Sequence, residues 1–558
     1  MGNLINSYTN IENLYNFYTN FYIILWLNTD KFPQEYYFME LKFKDYYDKV
    51  YGCYSGKTIG GTLGAPFECH RGVFNVDYYV QDTSRPVPND DIDLQLVWLR
   101  AVELERGRID SHVLAEYWAT YISASLCEYG IGKNNAGMNI LPPLSGHLHN
   151  VNRDSNGAWI RTEIWACLCP GNPALAAMYA YYDACVDHSG EGVYSAVFMA
   201  AMQSAAFIES DILKLIDIGL SYIPKDCGVA KAVHCVMESH RSGADFKQAR
   251  KALLNAVPGG FGMLSGYWTG NTHDNQLPLS DKYPPQQPES DVPRGTHGYD
   301  APSNIGIIII GLLYSDGDFG KAVCTAVNCG EDTDCTAATV GALLGIIYGQ
   351  NALPKKWVDG CSGEISVCCL RMDGKLNLPK TVKALADRVA RQAPVMLGAH
   401  KCDVTAADGF TVIPQQDLYS GAPGEPDLSV FLSEQPHAVR YHFLLHDVIV
   451  RYDGSFVTAE EGSEKTLEFT FINNLYDPQY ITVRFLGLPE GWQIAGGAEK
   501  AVSLENPHGT SIGRAYAKLA VRITPGALNR AKYTIAAEIS VNGRPTKSYI
   551  PLTFINGV

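Results

Sequence analysis

The sequence predicts a multidomain chain, an all-α domain followed by an all-β sandwich. Two observations carry this expectation. From about Lys42 to about Arg391, apolar residues recur at helical spacing, Ala and Gly are abundant, and there is little alternation of period two. After about His400, Pro, Gly and Asp separate short runs with period-two character. A length of 558 residues, too great for one core, agrees with at least two domains.

In chain order, residues 1–38 stand apart, rich in Asn, Tyr, Phe, Ile and Leu with little charge. The apolar run Phe21–Leu27 is too short to span a bilayer and lacks the basic flank and cleavage site of a signal peptide. Met39 reads as a natural start, with 1–38 as an appended segment or, alternatively, a functional arm. The expected division is then 39–398 all-α, 399–432 linker and 433–558 sandwich. Helices are expected to include Leu94–Val102, Ala174–Tyr182, Val193–Ile208, Ile305–Tyr314 and Ala337–Tyr348. A loop from Gly262 to Asn304, crowded with Gly, Pro, Asn, Asp and His, has the length of a binding loop or insertion. Strands are expected within Val439–Val450, Lys465–Ile472, Tyr480–Phe485, Ala517–Ile523 and Tyr533–Val541. The stretch Leu486–Trp492 and the strands after it resemble Ig-like modules appended to bacterial carbohydrate-active enzymes. Both 1–38 and the sandwich are expected to be dispensable for chemistry, with a chain ending near Arg391 keeping the active centre.

Hydrophobic residues make up 46% and charged residues 18%, as in a folded globular protein. The net charge of −15, without any long Lys/Arg run, argues against nucleic-acid and anionic-membrane partners. A negatively charged small substrate stays open, because a bound metal supplies positive charge locally. Fifteen cysteines, an odd and scattered set with no zinc-like pairing, read as reduced, mostly buried thiols of a cytoplasmic protein.

Gly52, Gly56, Gly60 and Gly64 stand four apart, and Gly341, Gly345 and Gly349 form a second such stripe. Glycine inside a helix costs about 1 kcal/mol against alanine, so these stripes need a compensating close approach of two helices. If the helices pack antiparallel, Glu68 comes near Asp332 and Asp334. Asn89-Asp-Asp-Ile-Asp93 and Glu331-Asp-Thr-Asp334 each open an apolar helical run. Either cluster alone is explained by helix capping. Six carboxylates at two helix starts exceed what capping needs. Where they converge they repel one another unless protonated or neutralised by cations. Oxygen ligands of this kind suit Mg²⁺, Mn²⁺ or Ca²⁺ rather than zinc.

Gly56-Lys-Thr-Ile-Gly-Gly-Thr-Leu-Gly-Ala-Pro-Phe-Glu68, the Asp90-Asp91 helix start and Asn328-Cys-Gly-Glu-Asp-Thr-Asp334 resemble, in order, three signatures of the ADP-ribosylglycohydrolase family. The resemblance covers roughly residues 42–395. It implies an all-helical fold holding two Mg²⁺ ions, with Mn²⁺ able to substitute. The implied metal set is Asn89, Asp90, Asp91, Asp332, Asp334 and Cys335, and the implied catalytic residues are Glu68 and Asp91, Glu68 as acid/base. Asn156, Gly157, Arg161, His188 and Thr333 are expected near the substrate. Asn89 and Cys335 stand where the family has threonines, and a soft sulfur at 335 is a poor Mg²⁺ ligand, so one ion is expected to be held more weakly. The implied function is metal-dependent cleavage of a ribosyl glycosidic bond in a small or protein-linked ADP-ribosyl substrate. The alternatives are a nucleoside-type or other glycosidase of this fold and a non-catalytic, crystallin-like member.

Overall fold

The helical spacing becomes a set of packed helices running from Phe43–Gly64 to Val382–Leu397, and the period-two runs become two sheets. The computed structural model describes residues 40–558 except 69, 107, 126, 259–299, 372–375, 407, 422–427, 434–437, 454–456, 476, 506–514 and 558. The 1–38 segment and most of the 262–304 loop, with His273, Asp274 and His297, lie outside the described residues. The end of that loop is corrected: residues 301–304 already belong to helix Ala301–Leu313, which Pro302 opens.

Helices Glu191–Ala205 and Ala301–Leu313 are apolar nearly all round and form the middle of the helical core. The two glycine stripes meet as an antiparallel seam. Helix Phe43–Gly64 lies along helix Thr333–Tyr348 with Gly52 opposite Gly345, Gly56 opposite Gly341, Gly60 opposite Ala337 and Gly64 opposite Thr333. A Cβ added at Gly56 would fall 2.6 Å from the carbonyl carbon of Gly341, so only glycine permits this approach. The seam fixes the end of the first helix beside the start of the second.

The C-terminal sheets are five-stranded, nearly all antiparallel, and share one core. One has the order Glu499–Leu504, Gln479–Leu486, Lys532–Val541, Lys547–Asn556, Thr458–Ala459; the last pair is parallel. The other has the order Gln493–Ile494, Tyr516–Thr524, Lys465–Asn473, His446–Tyr452, Ala438–His442. Strand Lys465–Asn473 buries every second side chain, as its sequence pattern requires. The expected Val439–Val450 run is two strands paired as a hairpin.

The linker expectation is corrected. Thr411–Val412 pairs with Leu41–Lys42 and with Cys402–Asp403 in a small sheet, because Phe410, Val412, Leu428 and Phe431 are apolar and complete the helical core. In the other direction, Ile140, Leu144 and Leu148 of the helical part belong to the sandwich core. Thr553 Oγ1 donates to the Asn139 carbonyl at 3.0 Å. Burying Phe410, Val412, Leu428 and Phe431 contributes about 6–12 kcal/mol at about 1.5–3 kcal/mol per side chain. A chain ending at Arg391 is therefore expected to lose cooperative melting rather than keep an active centre. Calorimetry decides it, and a sharp transition near that of the full chain would restore dispensability.

Every described cysteine is a free thiol. No helix among the described residues is long and apolar enough to cross a membrane.

Candidate metal centre

Two helix starts and one helix end build the centre. The glycine helix ends in a short 3-10 turn, Ala65–Phe67, that delivers Glu68. Asn89 opens helix Asp90–Glu105 as its N-cap, its side-chain oxygen accepting the Asp91 N–H at 2.7 Å. Strands His70–Arg71 and Gly330–Glu331 pair and bring in the second aspartate helix. Glu331 is held at φ 69° while its carboxylate takes Arg71 Nε at 2.6 Å and Arg71 Nη2 at 3.1 Å. Asp332 then occupies the N-cap position of helix Thr333–Tyr348 without capping it. The capping explanation thus holds for Asn89 and fails for Asp332.

Asp332 and Asp334 are 2% and 6% exposed, yet Oδ1 of each has no hydrogen-bond partner. The opposite oxygens are held: Asn156 Nδ2 donates to Asp332 Oδ2 at 2.7 Å, and Asn89 Nδ2 to Asp334 Oδ2 at 3.3 Å. Ligand atoms of Glu68, Asp332 and Asp334 lie within 4.8 Å of one another, and so do those of Asp91, Asp334 and Cys335. These two groups, sharing Asp334, could each hold a metal ion. Two orphaned carboxylate oxygens in a buried acidic cluster are what a hard divalent cation would satisfy.

Three of the six carboxylates expected at the centre, Asp91, Asp332 and Asp334, join these groups, and the expected ligand Asp90 does not. Asp90 is half-exposed and accepts from Tyr129 Oη at 2.9 Å. Asp93 turns away and accepts the backbone N–H groups of Cys368 and Cys369 at 2.7 and 2.8 Å. Glu331 is the structural partner of Arg71. Both oxygens of buried Asp91 are engaged, Oδ2 by Lys57 Nζ at 3.1 Å and Oδ1 by the Cys335 thiol at 3.2 Å. Each oxygen keeps a second acceptor site that could face a metal.

Several expectations need correction. Asn89 presents its amide nitrogen, not its oxygen, to Asp334, because the oxygen is committed to the cap. Glu68, expected as a catalytic group only, also joins a ligand set. Cys335 stays a thiol: burial pushes its pKa up, and Asp332, Asp334 and Asp91 push it further. Arg161 is fully buried and directed inward, to Asp183 at 2.8 Å, Asp187 at 2.6 Å and the Gly157 carbonyl at 2.6 Å. His188, equally buried, lies between Asp187 Oδ1 at 2.8 Å and Ser155 Oγ at 3.1 Å. Thr333 donates to the Gly64 carbonyl at 2.8 Å across the glycine seam. Arg161, His188 and Thr333 therefore support the site rather than line it. Gly157 gives room, since a Cβ there would lie 2.6 Å from Glu128 Oε1.

Sequence reading missed Lys57, Glu163 and Tyr129. Lys57 sits inside the glycine motif, and a lone charged residue between Gly56 and Gly60 in an otherwise apolar and small run was its available signal. Glu163 and Tyr129 carry none.

Protonation follows from burial. Burial pushes Asp332 up to about 7, assisted by the Glu68 charge, and pushes Asp91 up to about 6 against the pull of Lys57. An unfolded aspartate titrates near about 3.9. Each raised group thus stabilises the fold fully below about pH 4, and the contribution is lost as pH rises through about 6–7. Protein in EDTA is expected to melt at a lower temperature at pH 8 than at pH 5.5, with Asp332→Asn flattening the slope. A melting temperature independent of pH in this window, in wild type, would contradict the buried-cluster electrostatics.

The profile model described as ADP-ribosylglycohydrolase matches residues 43–395. The chain belongs to the ADP-ribosylglycohydrolase family. Its family match covers the glycine seam and both aspartate helices. A relative described as ADP-ribosylarginine hydrolase Tri1, from Serratia proteamaculans (strain 568), is 38% identical over 47 residues. That stretch is 8% of this chain and 13% of the relative's length. A solved structure described as an ADP-ribosylglycohydrolase-related protein complex is similar at 17% identity and a TM-score of 0.40, covering 63% of this chain and 99% of its own.

Proposed function

We propose that this family member is a divalent-metal-dependent hydrolase, using Mg²⁺ with Mn²⁺ able to replace it, that cleaves the ribosyl glycosidic bond of ADP-ribosylated or related ribosylated substrates. The observation that carries this reading is the pair of orphaned oxygens, Asp332 Oδ1 and Asp334 Oδ1, inside two acidic groups at the family's motif positions. Glu68, Asp332 and Asp334 would hold one ion, and Asp91, Asp334 and Cys335 a second.

Cleavage of such a bond passes through an oxocarbenium-like state attacked by water. A bound divalent ion supplies Lewis acidity toward ribose hydroxyls and water, and neutralises the carboxylates. The chain's own groups supply orientation. Asn156 and Asn89 each tie down one oxygen of Asp332 and of Asp334 and leave the other aimed into the cluster. Tyr129 donates to Asp90 Oδ2 beside them. Glu68, half-exposed at the edge of the cluster, is the acid/base. One of its oxygens suffices for a metal, and the other takes a proton from water or returns one to the departing atom.

The test is incubation with a panel of ribosylated substrates, headed by ADP-ribosylarginine because of the relative's name, with and without Mg²⁺. Mass analysis should find a freed ribosyl product only with metal. If no panel member is cleaved beyond its buffer control with Mg²⁺ present, the hydrolase reading fails.

A further inference from the structure

Cys368 and Cys369 are the only cysteines adjacent in the sequence, and they lie against the helix that carries Asp91. Cys368 is exposed and Cys369 buried. A single oxygen of buried Asp93, Oδ2, accepts the Cys368 backbone N–H at 2.7 Å and the Cys369 backbone N–H at 2.8 Å. On the other side the Cys369 carbonyl accepts the Ser123 N–H at 2.8 Å, and the Tyr121 carbonyl accepts the Arg371 N–H at 2.8 Å. Cys369 is thus fixed on two sides, while Cys368 is open to solvent. The two thiols are in contact, and that contact, followed by burial, pushes the Cys369 pKa well above the usual thiol range. Cys127, the other exposed cysteine among those described, has its thiol pushed up to about 11 by desolvation and by Glu128, which leaves little of it as the reactive thiolate.

We propose that Cys368 and Cys369 form a redox-sensitive dithiol, oxidised by a peroxide to a disulfide between neighbours that releases the aspartate helix from its anchor. The Cys368 thiolate attacks one oxygen of hydrogen peroxide, the O–O bond breaks, and hydroxide leaves and takes up a proton to become water. Sulfur is oxidised to the sulfenic acid and the peroxide is reduced. The Cys369 sulfur then attacks the Cys368 sulfur, and the departing hydroxyl leaves with the Cys369 proton as a second water. Adjacency makes this step intramolecular, which offsets the raised Cys369 pKa. The closed ring contains the Cys369 backbone nitrogen, so closure turns the N–H that Asp93 accepts. Neighbouring Cα atoms lie about 3.8 Å apart, short of the about 4.4 Å at which ordinary disulfides begin, so the bond is strained and a thiol reductant reopens it. The consequence for the metal centre rests on the metal-dependent reading above, and the thiol chemistry does not.

The test treats the reduced full chain with hydrogen peroxide, caps the remaining thiols with iodoacetamide and maps the peptides by mass. The peptide carrying both cysteines should lose two hydrogens and escape capping, and dithiothreitol should restore it. Cys368→Ser should abolish that loss and fold as wild type does, because the side chain is exposed. Cys127→Ser should leave the loss intact. In EDTA the oxidised wild type should melt about 2 °C or more below the reduced protein, as expected for the loss of a hydrogen bond to a charged group. Cys368→Ser should show no such shift with peroxide. Oxidised wild type should also bind Mg²⁺ about tenfold more weakly by calorimetry. Capping of both thiols after peroxide, or Cys368 carried to a sulfinic acid with Cys369 still free, overturns the dithiol. A disulfide proved by mass that shifts neither melting nor Mg²⁺ affinity overturns the release of the helix. Reduced protein that binds no Mg²⁺ overturns the metal-dependent reading and leaves the dithiol to be decided by mass and melting.

Discussion

Asp334→Asn should remove turnover, by about 10³-fold or more, while raising the melting temperature of the protein in EDTA. The two effects share one cause. Asp334 is the member common to both acidic groups, so its loss disarms both, and electrostatic groups at a reacting centre are worth about 10²–10³ each or more. The same carboxylate is buried with an unpartnered oxygen, and burial together with Asp332 and Asp91 raises its pKa well above the usual range. A neutral amide of the same size relieves that repulsion in the metal-free fold. Wild type should gain about 2.7 kcal/mol of stability from Mg²⁺ at about 100 times its dissociation constant, and the variant should gain none. Glu331→Gln is the control. It alters a carboxylate of the same motif that pairs with Arg71, so it should lower the melting temperature and keep the Mg²⁺ response. Activity retained in Asp334→Asn, or a Mg²⁺ response lost equally in Glu331→Gln, would remove the special position given to Asp334.

The antiparallel seam was legible because glycine at every fourth position has a cost in a helix and few other uses. From that seam the proximity of Glu68 to Asp332 and Asp334 follows by geometry alone. The division of the carboxylates between site and scaffold was half legible. Two positions along a helix turn a side chain by about 200°, so the spacing already set Asp93 on another face than Asp91, while its partners, the backbone N–H groups of Cys368 and Cys369, were not implied by it. The direction taken by Glu331 was not implicit. It depends on Arg71, which is 260 residues away in sequence and arrives only through the paired strands His70–Arg71 and Gly330–Glu331.

Arg161 and His188 show why a motif's residue types do not determine their roles. Charged groups beside a polar site read as substrate contacts, but Asp183 and Asp187 take the Arg161 guanidinium inward and leave none of it exposed. The share of Cys402, Phe410, Val412, Leu428 and Phe431 in the helical core was hidden for another reason. Short apolar runs between Pro and Gly look like a connector, and only the uncovered side chains of Phe43 and Tyr46 give Phe410 its place, with ring centroids 5.1 and 5.5 Å away.

Gly341→Val should destabilise the fold by more than about 4 kcal/mol, the largest stability effect of any single substitution considered. A Cβ at 341 would lie 2.8 Å from the carbonyl carbon of Gly56, and the obstacle is backbone, which has no rotamer to yield. Relief requires the two helices to separate, and separation breaks the contact along the whole seam, from Gly52–Gly345 to Gly64–Thr333. The last of these contacts carries the Thr333 hydroxyl bond to Gly64, four residues before Glu68 and next to Asp332. The substitution therefore acts on the centre as well as on the fold. Any folded fraction should bind Mg²⁺ more weakly although no ligand has been altered. Gly243, at φ +80° with nothing within 4 Å of an added Cβ, is the comparison. Gly243→Ala should cost about 1 kcal/mol from backbone strain alone and leave Mg²⁺ affinity untouched. Denaturant unfolding of the two variants checks the ranking. A Gly341→Val protein as stable as wild type would mean that the helices do not approach as closely as the seam requires.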